Sequence, residues 1–370
     1  MSPLEVGYEV DVIDEQLPVS APTATDTCFL LHSAAAGEPD LQEVNSAQDA
    51  RDAFPATAAI HTNADAFFGE GGGRLYVSKL AAVPVVADTL ARFTPDHGPG
   101  QVVAPGVVTG PELNTIAEWC WTNNRIAILN GPDGANDAAL IALANAVIAG
   151  TGGRVAELEA DTLLIPGLAS GTTREVSAAI VKAALIARSD IATGNPNLAA
   201  AGIAQGRCRY AIGMKVDRTD ASRQALAAAQ INTFKNVYGT ALSAYGYLSL
   251  ADLDTHAHWW DLSGARTVMA ARAREAAVAE RHMFGQVDGE GQFLGRYEGG
   301  LRGELADLAR IGALFGNDVS PAYRVDVSEV VNPLAELAEG IVTATLTLRT
   351  SPHMRRALVH IIKRPITQEV

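Results

Sequence analysis

Arg125–Val147 reads RIAILNGPDGANDAALIALANAV. Its opening apolar run, Arg125–Leu129, predicts a short strand, and Gly131 and Gly134 around Pro132-Asp133 predict a tight turn. Asn136 or Asp137 then caps a helix that reaches Ala149. The same strand–turn–helix rhythm extends outward on both sides. Upstream lie strands at Thr27–Leu31, Arg74–Lys79 and Gln101–Ala104, the last ending in Pro105-Gly106. Helices at Ala47–Phe54, Ala56–Phe68, Val83–Phe93 and Pro111–Asn123 separate them. Downstream come a strand at Leu163–Ile165 and an amphipathic helix at Arg174–Ser189. Alternating strands and helices of this kind predict a mostly parallel sheet covered by helices, the α/β class.

Beyond a Gly/Asn/Ala-rich loop at 192–206 the style changes. Helices are expected at Ser222–Gln230, Asp261–Met283 and Leu301–Phe315. Strands are expected at Ala241–Leu248, Ala322–Val327, Gly340–Leu348 and Ala357–Ile362. The N-terminus alternates strictly, with Leu4, Val6, Tyr8, Val10 and Val12 on one face and Glu5, Gly7, Glu9 and Asp11 on the other. That is a strand without a neighbouring hairpin partner, so its partner is remote in the chain or belongs to another copy.

The 370 residues suggest about two domains. With 28 Lys+Arg against 42 Asp+Glu the net charge is −14, which argues against binding nucleic acid or anionic lipid. No basic, apolar leader opens the chain, and no run of apolar residues is long enough to span a bilayer, so folding in a cytoplasm-like compartment is expected. Cys28, Cys120 and Cys208 are odd in number and far apart, which suits small buried apolar groups better than disulfides.

Catalytic signals are sparse. The Gly131–Asp137 loop is the best nucleotide-site candidate, because a helix N-terminus behind a glycine turn attracts anions. It lacks G-x-G-x-x-G and a following Lys-Ser/Thr, and Asp133 and Asp137 repel phosphate. A capped structural turn is the competing reading. Gly69–Gly73 precedes a strand rather than a helix, and Gly150, Gly152 and Gly153 end a helix. His256 and His258, with Asp254, are the one close histidine pair, weighed against a surface loop with Trp259 or Trp260 turned inward. No nucleophile elbow is present, and no catalytic residue, cofactor or metal is assigned.

Several stretches, in order, resemble the contractile tail sheath family of bacteriophages and related injection machines. TDTCFLLHSAAAGEPDLQEVNSAQDARDAFP (25–55) is similar to the family's first strand, loop and helix, and AFFGEGGGRLYVSKL (66–80) to its helix, glycine turn and strand. VVAPG (102–106) and RIAILNGP (125–132) resemble a further strand pair. AAAQINTFKNVYGTALSAYGYLSL (227–250), IGALFGNDVSPAYRVDVSEVVNP (311–333) and GIVTATLTLRTSPHMRRALVHIIKRP (340–365) resemble segments of its C-terminal half. Departures occur at Tyr247–Ser249, at Gly285–Gly291 and at Pro352–Arg355.

The resemblance implies a two-domain sheath-like α/β fold. Residues 1–18 would form an N-terminal strand arm, 19–205 an inserted outer domain, 206–350 an inner core and 351–370 a C-terminal strand arm. It implies a helical homopolymer of six-fold rings around a tail tube, with baseplate and terminator proteins as further partners, in a virion tail assembled in the host cytoplasm. Contraction would drive the tube through a target envelope, with no catalysis, no cofactor and no direct contact with nucleic acid or membrane. The arms would pair between neighbours through Val6, Tyr8, Val10, Val12, Leu358, Val359, His360, Ile361 and Ile362. Acidic Glu5, Glu9 and Asp11 would face basic Arg355, Arg356, Lys363 and Arg364. A helix carrying Arg302, Glu304, Asp307 and Arg310 would rest on the tube, or else serve as an ordinary core helix. The alternative function is an α/β enzyme or nucleotide-binding protein built on Gly131–Asp137.

Overall fold

The computed structural model describes residues 25–80, 86–239, 241–317 and 319–355. The chain begins with β1 (Cys28–Ser33), β2 (Leu41–Val44), α1 (Ala47–Ala53), α2 (Ala58–Gly69), β3 (Leu75–Leu80) and α3 (Val86–Leu90). There follow β4 (Gln101–Val103), α4 (Gly110–Thr122), β5 (Ile126–Asn130), α5 (Asp137–Ile148) and β6 (Ala156–Glu159). Next come β7 (Thr162–Pro166), β8 (Thr173–Ser177), α6 (Ala178–Thr193), α7 (Gly202–Gln205), β9 (Gly213–Met214), α8 (Asp220–Ala228) and β10 (Ile231–Asn232). The last are β11 (Phe234–Val237), β12 (Ala241–Ala244), α9 (Leu262–His282), α10 (Gln292–Arg310), β13 (Tyr323–Asp326), α11 (Leu334–Ala338) and β14 (Thr345–Leu348).

Seven strands make one sheet in the order β10-β6-β5-β4-β1-β3-β2. Every pairing in it is parallel except that of β2 with β3. All five residues of β5 are buried, as a parallel strand covered on both faces requires. The expected cap of α5 is present: Asn136 Oδ1 accepts from Ala139 N at 2.9 Å. Smaller sheets are β8-β7-β9, β11-β12 and β13-β14.

The strand expected over Ala241–Leu248 stops at Ala244, and three further boundaries differ from the sequence reading. Arg174 opens a strand rather than a helix, because β8 pairs antiparallel with β7 from Thr162↔Ser177 to Pro166↔Thr173. Ser177 then caps the helix, accepting from Ala179 N. That helix, α6, is not amphipathic. It is buried around most of its circumference, Lys182, Ser189 and Asp190 included, since it packs against the sheet and against α2, with Asp190 paired to Arg266 of α9. The second difference is α10, which starts at Gln292, well before Leu301. The Asp288 carboxylate accepts from Gln292 N (2.9 Å) and Phe293 N (2.7 Å), so a cap outweighs the helix-weakening Gly295 and Gly299. Third, the strand expected over Gly340–Leu348 is confined to Thr345–Leu348, and the short helix α11 precedes it.

Packing continues across position 205. One core runs from Cys28 to Met269 and includes Leu226, Ile231, Phe234 and Leu250, and β10 extends the seven-stranded sheet. A second, smaller core gathers Ala271, Val278, Leu301, Leu305, Leu308, Ala313, Leu314, Val325 and Val327. The change from one core to the other falls inside α9.

Glu70 ties the larger unit together. It lies in the glycine-rich turn after α2 and is fully buried. Its carboxylate accepts from the backbone N–H groups of Arg209 (2.7 Å), Tyr210 (2.9 Å) and Ala211 (2.7 Å) and from Arg188 Nη1 (3.2 Å). Four donors on one carboxylate satisfy a charge that burial would otherwise make costly.

Candidate functional site

The Gly131–Asp137 loop does not form a nucleotide site. Lys215 Nζ donates to Asp133 Oδ2 (2.5 Å) and Glu175 Oε2 (2.7 Å), and Thr162 donates to Asp133 Oδ1 (2.7 Å). These bonds hold the Asp133 carboxyl below the usual carboxylate range. Arg218 bridges Asp137 (2.6 Å) and Asp161 (3.0 Å). The cavity among these groups is about 10 Å³, room for one water. A phosphate would have to displace carboxylates from the cations that already hold them.

His256 and His258 sit in an exposed turn around a short helical stretch, Ala257–Trp259. Asp252 organises it, accepting from His256 N through its backbone carbonyl (2.7 Å) and from Thr255 Oγ1 (2.8 Å). Trp259 packs edge-on against Trp121, with ring centroids 5.5 Å apart. No metal-holding cluster of His, Cys, Asp and Glu exists among the described residues. Cys28 and Cys120 are buried and Cys208 is partly so, all free, and burial pushes each thiol up, away from the reactive thiolate.

The smaller unit has a different character. It is built on a two-stranded antiparallel sheet, β13 with β14, paired from Tyr323↔Leu348 to Asp326↔Thr345. Two strands alone are marginal in water. Helix α10 backs them through Leu301, Leu305 and Leu308. Thr345, Leu346 and Thr347 of β14 are exposed, and β14 pairs with no other described strand. An open edge of this kind is a template for another strand. The loop leading to β14 is stapled by the buried Asn332. Its Nδ2 donates to Val327 O (3.0 Å) and Thr343 O (2.8 Å), and its Oδ1 accepts from Thr343 N (2.7 Å).

Exposed apolar side chains are unevenly spread along the chain, and eight of them, from Leu168 to Leu253, belong to the larger unit. Of seventeen large ones among the described residues, nine lie between Met283 and Met354 and none between residues 25 and 167. Phe284 is fully exposed. It occupies the third position of a turn closed by Gly285 N donating to His282 O (3.0 Å), with Met283 at φ −55°, ψ 140° and Phe284 at φ 63°. That position of a type II turn favours glycine, so a phenylalanine there is strained and has no packing to offset it.

The four candidate tube-facing residues all lie on α10 but do not act alike. Arg302 pairs with Glu298 at 2.6 Å and reaches Val325 O at 3.4 Å. Glu304 faces inward to Arg281 (3.5 Å) and Arg274 (3.9 Å) of α9, locking the two helices together. Asp307 and Arg310 pair with each other at 3.1 Å on the solvent side. Of the proposed arm residues, Arg355 alone is described. It is exposed, with its guanidinium 4.8 Å from the Trp260 ring. Glu5, Val6, Tyr8, Glu9, Val10, Asp11, Val12, Arg356, Leu358, Val359, His360, Ile361, Ile362, Lys363 and Arg364 lie outside the described residues.

The sequence matches no protein-family profile and no curated protein. Solved structures do match. The sheath of an extracellular contractile injection system, PVC, in its contracted state superposes with a TM-score of 0.75 at 18% identity, over 98% of this chain and 99% of the other. The contracted helical sheath of the anti-feeding prophage gives 0.71 at 16% identity, over 98% and 100%.

The chain has the contractile-sheath fold.

A sheath tail protein from Listeria innocua shares that fold more loosely, with a TM-score of 0.56 at 10% identity over 84% and 90% of the two chains.

Proposed function

We propose that this chain is the repeating subunit of a contractile sheath, a helical homopolymer that shortens to drive a tube through a target envelope. The supporting observation is the end-to-end correspondence, in both directions, with the PVC sheath subunit. The part played by the chain is mechanical rather than catalytic.

The smaller unit, together with both chain ends, is proposed to face the tube and the neighbouring subunits, and the seven-stranded unit to face outward. Residues 1–18 and 351–370 would add strands to open edges such as that of β14 in neighbours, so that backbone hydrogen bonds hold the mesh while layers rotate. The solvent side of α10, with Arg302, Asp307 and Arg310, is the proposed tube contact. A tube protein, a baseplate and a terminator complete the proposed set of partners. An extracellular injection particle suits the chain better than a virion tail, because the injection-system sheaths superpose at 0.71–0.75 and the Listeria sheath tail protein at 0.56.

Negative-stain microscopy of the purified full chain tests the assignment. Hollow striated tubes are expected, and a monodisperse small particle at high concentration would overturn it. Removing residues 2–14 separates the finer claim: tubes that form unchanged would refute strand exchange and leave the sheath assignment standing.

A further inference from the structure

The larger core encloses more negative than positive charge. Glu157 and Glu159 lie on β6, two residues apart on the same side of the strand, and both are fully buried. Lys182 of α6 is also buried. Its Nζ lies 3.9 Å from Glu157 Oε2 and 4.0 Å from Glu159 Oε1, beyond good hydrogen-bond reach of either, and donates instead to Gly246 O (2.6 Å) and Ala200 O (3.1 Å). Asn232 of β10 donates to Glu157 Oε2 at 3.0 Å. Glu157 Oε1 and both oxygens of Glu159 have no hydrogen-bond partner among the described residues.

The surrounding charges do not close the balance. Just beyond β6, Asp161 is taken by Arg218 (3.0 Å) and by Phe234 N (2.7 Å). On α6, Asp190 is taken by Arg266 of α9 and by Thr25 Oγ1 (2.6 Å). Four carboxylates, Glu157, Glu159, Asp161 and Asp190, therefore face three cations, Lys182, Arg218 and Arg266. Cys208, the remaining titratable group near Glu159, is a neutral thiol, so it supplies no positive charge.

We propose that the folded subunit retains one proton on the Glu157–Glu159 pair, held chiefly by Glu159, and that loss of this proton loosens the packing of β6 against α6. Two like charges side by side in a dry interior with one shared ammonium cannot both ionise cheaply. Glu159 is the favoured holder because Glu157 already has the Asn232 N–H and Glu159 has nothing. Burial supports this assignment, pushing the Glu157 carboxyl up to about 7 and Glu159 well above the usual carboxylate range. A carboxyl raised in the folded state contributes stability that is complete below the unfolded value and lost as pH rises through the folded one. The core is accordingly weakened toward alkaline pH.

The test is thermal unfolding of the full-length subunit at about pH 5 and about pH 9, for the wild type, Glu159→Gln and Lys182→Met. The wild-type midpoint is expected to fall by several degrees across that range. Glu159→Gln, a neutral isostere, should flatten the fall and unfold at higher temperature than the wild type at the alkaline end. Lys182→Met, which removes the cation that favours the ionised carboxylates, should steepen the fall and extend it to higher pH. A wild-type midpoint that does not change with pH would overturn the proposal. So would a Glu159→Gln variant that keeps the wild-type slope.

Discussion

The stretch from residue 25 to 167 and the stretch from 283 to 354 solve opposite problems. The first leaves no large apolar side chain exposed among its described residues and places its parallel strands in a seven-stranded sheet. The second exposes Phe284, Val319, Val330 and Leu334 and stops at two paired strands. A seven-stranded sheet covered by helices buries a large core within a single copy, even though its edge strand β2 is open. A two-stranded sheet with an open edge and exposed apolar neighbours is incomplete until something covers it. If the smaller unit carries assembly as proposed, stability and assembly rest on separate parts of this chain, and mutations in the two should fail in different ways.

The largest expected effect lies in the larger unit. Glu70→Ala leaves three backbone N–H groups without their acceptor and strips Arg188 of its carboxylate partner, leaving it only backbone carbonyls, and should cost about 3–5 kcal/mol in urea unfolding of the whole subunit. Asn332→Ala removes three hydrogen bonds in the open unit. It should cost about 2–3 kcal/mol, read as early loss of amide protection in 327–343 while the seven-stranded sheet stays protected. Loss of protection in both regions together would mean that the two units unfold as one. Phe284→Gly relieves the positive φ and should stabilise the subunit by about 1 kcal/mol, measured as a higher unfolding midpoint. Leu346→Lys places a charge on β14 and should change subunit stability by less than about 0.5 kcal/mol while abolishing tubes under the microscope. If tubes survive, the open edge is not the assembly surface and the contrast between the two units loses its functional meaning.

The parts of the fold that were legible were those carried by short-range pattern. β1, β3, β4 and β5 and helices α4 and α5 lie within a residue or two of their expected positions, because each is an apolar run bounded by turn or cap residues. β6 was missed because its sequence, AELE, carries two carboxylates that ordinarily mark a surface. β10 was missed because two residues hold no periodicity. The start of α10 was missed because glycines inside a helix look like a stop, and Asp288 outweighs them only through its bonds to Gln292 and Phe293. Of the smaller unit, the stretches around β13 and β14 were visible only as a series of family-like segments, 311–333 and 340–365. The inward turn of Glu304 was not, since it depends on Arg274 and Arg281 of another helix.

By itself, then, the sequence determined the α/β class, the mostly parallel order of the larger unit, the acidic surface and the ordered likeness to sheath proteins. Those properties follow from composition and from periods of two to four residues. Tertiary structure alone decided that the division between cores falls within α9, that the glycine loop after β5 is closed by Lys215 and Arg218, and which carboxylates are buried. Burial and charge pairing join groups far apart in the chain: Glu70 meets the backbone of Arg209, and Glu157 meets Lys182. Whether a carboxylate is solvated, paired or left holding a proton depends on what the fold packs around it, which local sequence does not encode.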